Sequence, residues 1–284
     1  MYEERYFEST DGLKLFYRDY AGPPTRPAVL CLPGLTRNSQ DFAELAEHLC
    51  VRRRVLAADL RGRGRSAYDP VLSHYNPTTY LSDVMQLLSV TELTSVVVVG
   101  TSLGGFLAMM LVAAKSEAVI GIVVNDIGPE IDPRGLERIQ GYVGQGGAAA
   151  TWDEATAAMR GLNESVFPDW NDDDWRAMAK RTYRRDKNGQ LRLDYDAGIA
   201  EAFGEPAGAA PAADIWPIWS LVGRVPSLGI RGELSDILAP ETFERMRAEH
   251  DAFEGVVVPR VGHAPMLTEP ICVEAIDRFL EGLD

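Results

Sequence analysis

Residues Val96–Leu107 read VVVVGTSLGGFL. The four valines are a β-branched run that predicts a short buried strand. Gly100-Thr101-Ser102-Leu103-Gly104 follows, and then Phe106–Ala114, an apolar stretch of helical length. Strand, Gly-x-Ser-x-Gly and helix in that order put the serine on a sharp strand-to-helix turn. Such a turn strains the backbone of its central residue and tolerates only small neighbours, which Gly100 and Gly104 supply. It lifts the Ser102 hydroxyl beyond the sheet and aims the first N–H groups of the helix at whatever binds there. Taken alone, the same letters also fit a plain strand–turn–helix whose glycines allow close packing.

On either side of this stretch the chain alternates strand-like and helix-like runs. Arg5–Thr10 and Leu13–Tyr20 predict two strands joined at Asp11-Gly12, a tight-hairpin signal. Ala28–Leu32 predicts a strand that stops at Pro33-Gly34, Gln40–Leu49 a helix, and Arg54–Ala58 a strand. Thr79–Thr91 reads as a helix, Ser95–Val99 as the central strand, Leu103–Lys115 as a helix and Val119–Asn125 as a strand. From Gly128 to about Ile218 the pattern breaks into short amphipathic stretches and Gly/Ala patches, Gly144–Ala150 and Ala207–Ala213, with no strand-like run. The strand and helix alternation resumes with Ser227–Arg231, Pro240–His250, Gly255–Val258 and Pro270–Leu283. This spacing implies an α/β fold with a mostly parallel sheet and helices on both faces. The expected organisation is a core from residues 1–128 and 219–284, interrupted by a helical insertion, 129–218. All five tryptophans, Trp152, Trp170, Trp175, Trp216 and Trp219, fall at or near that insertion. They either pack it onto the core or line an apolar pocket over Ser102.

Composition narrows the function classes. The chain has 284 residues, 46% hydrophobic and 25% charged, which are globular values. A net charge of −14 argues against nucleic acid or an anionic membrane surface as a partner. No apolar run reaches the ~18 residues a membrane span needs. The start, MYEERYFEST, lacks the apolar core of a secretion signal. Cys31, Cys50 and Cys272 are far apart and lack metal-ligand spacing, so they read as reduced thiols of a cytoplasmic protein. Neither a complete dinucleotide fingerprint, nor a P-loop lysine, nor His-Glu-x-x-His is present. No cofactor and no metal are expected, and nothing in the sequence sets an oligomeric state.

A serine hydroxyl becomes a useful nucleophile only when a base takes its proton and a third group orients that base. Of four histidines, His48 and His250 sit in helical patterns and His74 in a polar loop. His263 differs: it lies in Val261-Gly262-His263-Ala264-Pro265, just after the last strand, where the loop opens at the same sheet edge as Ser102. For the acid, Asp236 follows the strand Ser227–Arg231 and gives the order Ser, Asp, His. Asp126, directly after Val119–Asn125, and Glu233 are alternatives, Asp126 the stronger of the two. The developing oxyanion needs donors. The backbone N–H of Leu103 is one, and that of Leu35, in the loop after Ala28–Leu32, is the other. Arg37, beside that loop, either meets an anionic group or forms a surface salt bridge.

In their order these pieces resemble the α/β-hydrolase fold family: LPGLTRNSQDF, DLRGRGRS, GTSLGG, RGELSDIL and GHAP. The resemblance implies an eight-stranded sheet with a helical cap over the active site. It also implies that Asp59 and Arg61 organise a core loop rather than react. One departure is that Cys31-Leu32-Pro33-Gly34 stands where many members have His-Gly. Serine at the elbow sets the chain apart from the aspartate-bearing dehalogenases and epoxide hydrolases of this fold. Ala264 stands where carbon–carbon hydrolases usually carry tryptophan. The expected function is therefore a serine hydrolase cutting an ester or lactone of a small, largely apolar substrate through an acyl-enzyme. Carbon–carbon hydrolysis, perhydrolysis or a lyase reaction with the same triad is the alternative, and a non-catalytic small-ligand receptor a third.

Overall fold

A computed structural model describes residues 1–114, 117–145, 147–204 and 214–284. The strands of the main sheet are β1 (Glu3–Glu8), β2 (Lys14–Tyr20), β3 (Ala28–Leu32), β4 (Val55–Asp59), β5 (Val96–Thr101), β6 (Val119–Asn125), β9 (Ser227–Gly232) and β10 (Phe253–Val258). The helices of the same part are α1 (Ala43–Leu49), α2 (Pro77–Val90), α3 (Leu103–Ala113), α9 (Pro240–Ala248) and α10 (Pro270–Glu281). Each element expected there forms within three residues of its expected ends. Their boundaries have local causes. Pro77 opens α2 behind Asn76, whose side chain accepts the Thr79 N–H at 3.0 Å.

The sheet has eight strands in the order β1-β2-β4-β3-β5-β6-β9-β10. Only β2 runs antiparallel to its neighbours; the other pairs are parallel. A parallel sheet has both faces covered, so its strands are apolar throughout. Alternate residues then feed opposite cores. Leu30, Leu32, Val96 and Val98 pack with α2, α3 and α9 on one face. Val29, Cys31, Val97 and Val99 pack with α1 and α10 on the other. Cys31 and Cys272 are free and buried, and desolvation pushes both thiols up. Among the described residues no helix is long and apolar enough to cross a membrane.

The topology positions a site. From β3 the chain moves to β4 on one side and then to β5 on the other. The crevice at such a reversal, outside the C-terminal strand ends, is where open α/β sheets bind ligands. The loops after β3, β5, β6, β9 and β10 all leave from that edge.

Between β6 and β9 lie α4 (Pro133–Tyr142), α5 (Trp152–Asn163), α6 (Asp172–Thr182), β7 (Tyr183–Arg185), β8 (Leu191–Leu193), α7 (Gly198–Gly204) and α8 (Trp216–Val222). Asp172, Asp173 and Asp174 occupy the first turn of α6, capped reciprocally by Asn171 and Asp174. The hairpin β7–β8 was not expected. Three-residue strands are too short to show a period of two, and among the described residues these pair with each other and through one isolated bridge, Ala149 to Leu191. The helices close on a core of their own around Met159, Phe167, Trp175 and Met178. The alanine-rich patch 207–213 and Gly146 of the patch 144–150 lie outside the described residues.

The strand end after β8 is tied to the sheet loops: Gly64 N–H donates to Asp194 O at 2.9 Å and Asp196 N–H to Gly62 O at 2.7 Å. The Asp194 carboxylate is buried in this joint. Burial pushes its pKa up to about 6; Arg184 pulls it down and Asp59 adds to the rise. Arg184 Nε stands 3.2 Å from Oδ1 but off the hydrogen-bond axis, so that oxygen has a charge partner and no hydrogen bond. A carboxyl whose folded pKa is raised binds more protons in the folded state. Its destabilisation therefore grows as pH rises from about 4 to about 6 and is full above that. Asp194→Asn should raise the melting temperature at pH 7.5, by up to about 3 kcal/mol of stability, with the gain gone by pH 4. A thermal melt at both pH values checks this.

Candidate active site

The backbone of Ser102 carries the strain that the turn demands. It has φ 52° and ψ −117°, its N–H donates to Asn125 O at 2.9 Å, and α3 begins at the next residue. The two glycines have no room for a side chain. A Cβ on Gly100 would lie 2.2 Å from Gly104 O, and one on Gly104 would lie 2.0 Å from Leu32 O. The Ser102 hydroxyl faces His263, whose Nε2 lies 3.0 Å from Oγ. The other ring nitrogen, Nδ1, lies 2.8 Å from Asp126 Oδ2. A carboxylate can only accept, so Nδ1 carries the ring proton and Nε2 is left to accept the serine proton.

Asp126 sits at φ 55°, one residue past β6, and is fully buried. Its Oδ1 accepts the Gly232 N–H at 2.8 Å, and its Oδ2 accepts the Ser235 hydroxyl at 2.6 Å as well as the imidazole. These bonds leave the carboxylate one orientation.

The expected pairing of Asp236 with His263 is not what the chain forms. Asp236 Oδ1 accepts Arg138 Nη2 at 2.8 Å, and Arg138 Nε donates to the other oxygen. Burial raises the Asp236 carboxyl, and the Arg138 guanidinium outweighs this and holds it below the usual range. The reason is geometric. β6 lies between β5 and β9 in the sheet, so a residue directly after β6 meets the serine loop at once. The loop after β9 spends Ser235 on Asp126 and turns Asp236 toward α4. Glu233 is exposed and takes the Arg260 N–H at 2.7 Å.

The remaining histidines are elsewhere. His48 contacts Asp277 at 2.8 Å, and His74 contacts Asp69 at 3.0 Å. His250, two residues beyond α9, is buried against Trp219, and desolvation lowers its pKa.

A cavity opens over Ser102 and His263. Gly34 and Leu35 line it from the sheet side, Met159, Phe167, Met178 and Leu193 from the helical segment. None of the five tryptophans is among its lining residues. Trp170 stacks on Phe167 at 3.8 Å and Trp175 meets Trp170 edge-on, so they hold the segment together behind the cavity wall. Arg37 is the cation of the lining, and Asp41 holds it by two bonds, Nε to Oδ2 at 2.7 Å and Nη2 to Oδ1 at 2.6 Å. Its Nη1 donates to Thr182 at the end of α6.

The expected oxyanion donors belong to the two segments next to Ser102. Leu103 opens α3, where helical geometry leaves its N–H without an intrahelical partner. Leu35 follows Gly34, where an added Cβ would stand 3.7 Å from Ser102 Cβ. Sequence reasoning missed a residue here. Arg63, fully buried, donates from Nε to Leu35 O at 2.8 Å and from Nη1 to Arg61 O at 2.7 Å. It lies in the DLRGRGRS stretch, whose unusual charge for a buried loop was the available signal. The other polar residues of that stretch do organise loops. Asp59 accepts the N–H groups of Ser39 and Arg65 at 2.7 and 2.8 Å, and Arg61 pairs with Asp83, Asp69 and Asp11. Asp11, Asp69 and His74 bring ligand atoms within 4.8 Å of one another, but the Arg61 guanidinium already supplies the positive charge between the two carboxylates.

An eight-stranded α/β sheet with a serine on a strand-to-helix elbow and a histidine beyond the last strand defines an α/β-hydrolase. The alpha/beta hydrolase family model matches residues 29–273, and the chain belongs to that family. It is 30% identical over 274 residues to the 3-hydroxybutyrate-oligomer hydrolase of Cupriavidus necator, covering 95% of this chain and 93% of the relative. It is 25% identical over 256 residues to the 2-(acetamidomethylene)succinate hydrolase of Mesorhizobium japonicum, covering 90% and 88%. The crystal structure of an alpha/beta hydrolase from Novosphingobium aromaticivorans DSM 12444 superimposes with a TM-score of 0.94 at 46% identity over 99% of this chain and 98% of the other. The protein is an enzyme of the hydrolase class.

Proposed function

We propose that the protein is a serine hydrolase that cleaves an ester or lactone of a small, largely apolar substrate. The observation that carries this is the unbroken relay from Ser102 Oγ to His263 to the buried Asp126. Ser102 attacks the ester carbonyl as its proton passes to His263 Nε2. The N–H groups of Leu35 and Leu103 receive the oxyanion. His263 then protonates the leaving alcohol, and the acyl-enzyme remains. Water gives its proton to the same nitrogen, attacks the acyl carbonyl and releases the acid with Ser102 restored. Asp126 fills the place of the acid. Residues 129–218 act as the cap whose side chains choose the substrate.

The lining supports a neutral reacting group. Arg37 is already neutralised by Asp41, so a dianionic substrate would enter without a free counter-charge among the described lining residues. Esters of short hydroxy acids are the first class to test, since one relative is named for hydrolysing 3-hydroxybutyrate oligomers. A fluorophosphonate probe should label the native protein and spare Ser102→Ala. p-Nitrophenyl butyrate should be cut at least ~10-fold faster, as kcat/KM, than its terminally carboxylated analogue mono-p-nitrophenyl succinate. Equal labelling of both proteins, or turnover of vinylogous diketones alone, sinks the ester reading.

A further inference from the structure

We propose that Asn125 is a positioning residue that sets the distance between His263 and Ser102. This rests on the triad reading above and goes beyond it. Asn125 is the last residue of β6 and is fully buried. Through three bonds it touches both sides of the reacting pair. Its carbonyl accepts the Ser102 N–H at 2.9 Å. Its Nδ2 donates to Thr101 Oγ1 at 3.0 Å, one residue before the nucleophile, and to Pro265 O at 2.8 Å, two residues after the base. Its chain neighbour is Asp126, which holds the imidazole.

The orientation of the amide is unambiguous, because a carbonyl such as that of Pro265 only accepts. Nδ2 must therefore face the histidine loop, which leaves Oδ1 buried without a partner. Other bonds tie the loop elsewhere: Val261 O accepts the Leu234 N–H at 2.8 Å, in the loop after β9. Gly262 N–H donates to Val166 O at 2.7 Å, in the cap, and Met266 N–H to the Glu269 side chain at 3.0 Å. Beside the imidazole's own contacts with Asp126 and Ser102, Asn125 thus ties the backbone of the base's loop to the strand ends carrying the nucleophile and the acid. A base displaced by a fraction of an ångström still binds substrate but transfers the proton poorly, so the loss should fall on kcat.

The test uses Asn125→Ala and Asn125→Ser, the second retaining a small polar side chain in case the first does not fold. The p-nitrophenol burst titrates the active sites, and kcat is expressed per titrated site. Leu87→Ala, in the core of α2, serves as a variant destabilised away from the site. The expected result is a fall of ~10–100-fold in kcat per site with KM within ~3-fold of wild type, and no such fall for Leu87→Ala. If kcat per titrated site in the Asn125 variants stays within ~2-fold of wild type, whatever their melting temperatures, the proposal is overturned while the triad reading stands. If the wild-type protein itself gives no burst and no labelling of Ser102, the triad reading fails and takes this proposal with it.

Discussion

Asp126→Asn will lower kcat for ester hydrolysis by about 10⁴-fold, while Asp236→Asn will lower it by less than about tenfold. The difference follows from what each carboxylate holds. Asp126 Oδ1 is bound by the Gly232 N–H, so an asparagine there would keep its carbonyl oxygen on that donor. Its NH₂ would then face the Ser235 hydroxyl and His263 Nδ1. A donor at Nδ1 forces the ring proton onto Nε2, and Nε2–H cannot take the proton of Ser102. The fold would survive and the base would be lost. Asp236→Asn removes only its ion pair with Arg138, whose two side chains are 25% and 31% exposed. That costs on the order of 1 kcal/mol of stability, with a second effect on KM because α4 reaches the cavity. Steady-state kinetics with p-nitrophenyl esters, alongside a thermal melt of each variant, checks both halves. A loss in Asp236→Asn equal to that in Asp126→Asn would return the acid to the loop after β9.

Gly104→Ala is the second large effect. The new Cβ would stand 2.0 Å from the carbonyl oxygen of Leu32 and 2.9 Å from its Cβ. Backbone oxygen in the middle of a sheet cannot rotate away, so either β3 or α3 must shift. Overpacking of this kind costs about 3 kcal/mol, or roughly 6–12 °C in melting temperature for a chain of this size. The shift would also fall on the loop that begins at Pro33-Gly34. We therefore expect the folded fraction to lose about 100-fold in kcat, the value of one misplaced oxyanion donor. Melting curves and active-site titration separate the two losses. Near-wild-type values of both would mean that β3 and α3 have slack between them that their packing does not suggest.

Much of the fold could be read directly. The apolar runs at Ala28–Leu32 and Val119–Asn125 have the observed strand boundaries, because fully buried parallel strands must be apolar nearly end to end. The serine and the histidine were legible for a similar reason. Each sits in a short loop right after a strand, so the sheet alone dictates where it points. The acid was harder. Asp126 and Asp236 both follow strands that end at the same rim, and local sequence supports either. Arg138 separates them, 98 residues before Asp236 in the chain and on a helix with no fixed relation to the sheet in the sequence. Arg63 and Asn125 were not legible because, the Thr101 hydroxyl apart, their side chains donate to backbone carbonyls, which leave no mark in a sequence.

The amino-acid sequence by itself determined the parallel sheet, the elbow at Ser102 and the place of His263 after the last strand, and its resemblance to the α/β-hydrolase family carried the hydrolase class. The sheet and the elbow depend on periodicity and on turns a few residues long, where local sterics decide the conformation. Only the tertiary structure decided which aspartate meets the imidazole, that Arg37 is neutralised by Asp41 within the cavity, and that methionine, leucine and phenylalanine rather than tryptophan form the cavity wall. Those outcomes are set by contacts between segments remote in the chain, whose distances are fixed when helices and sheet pack together and not before.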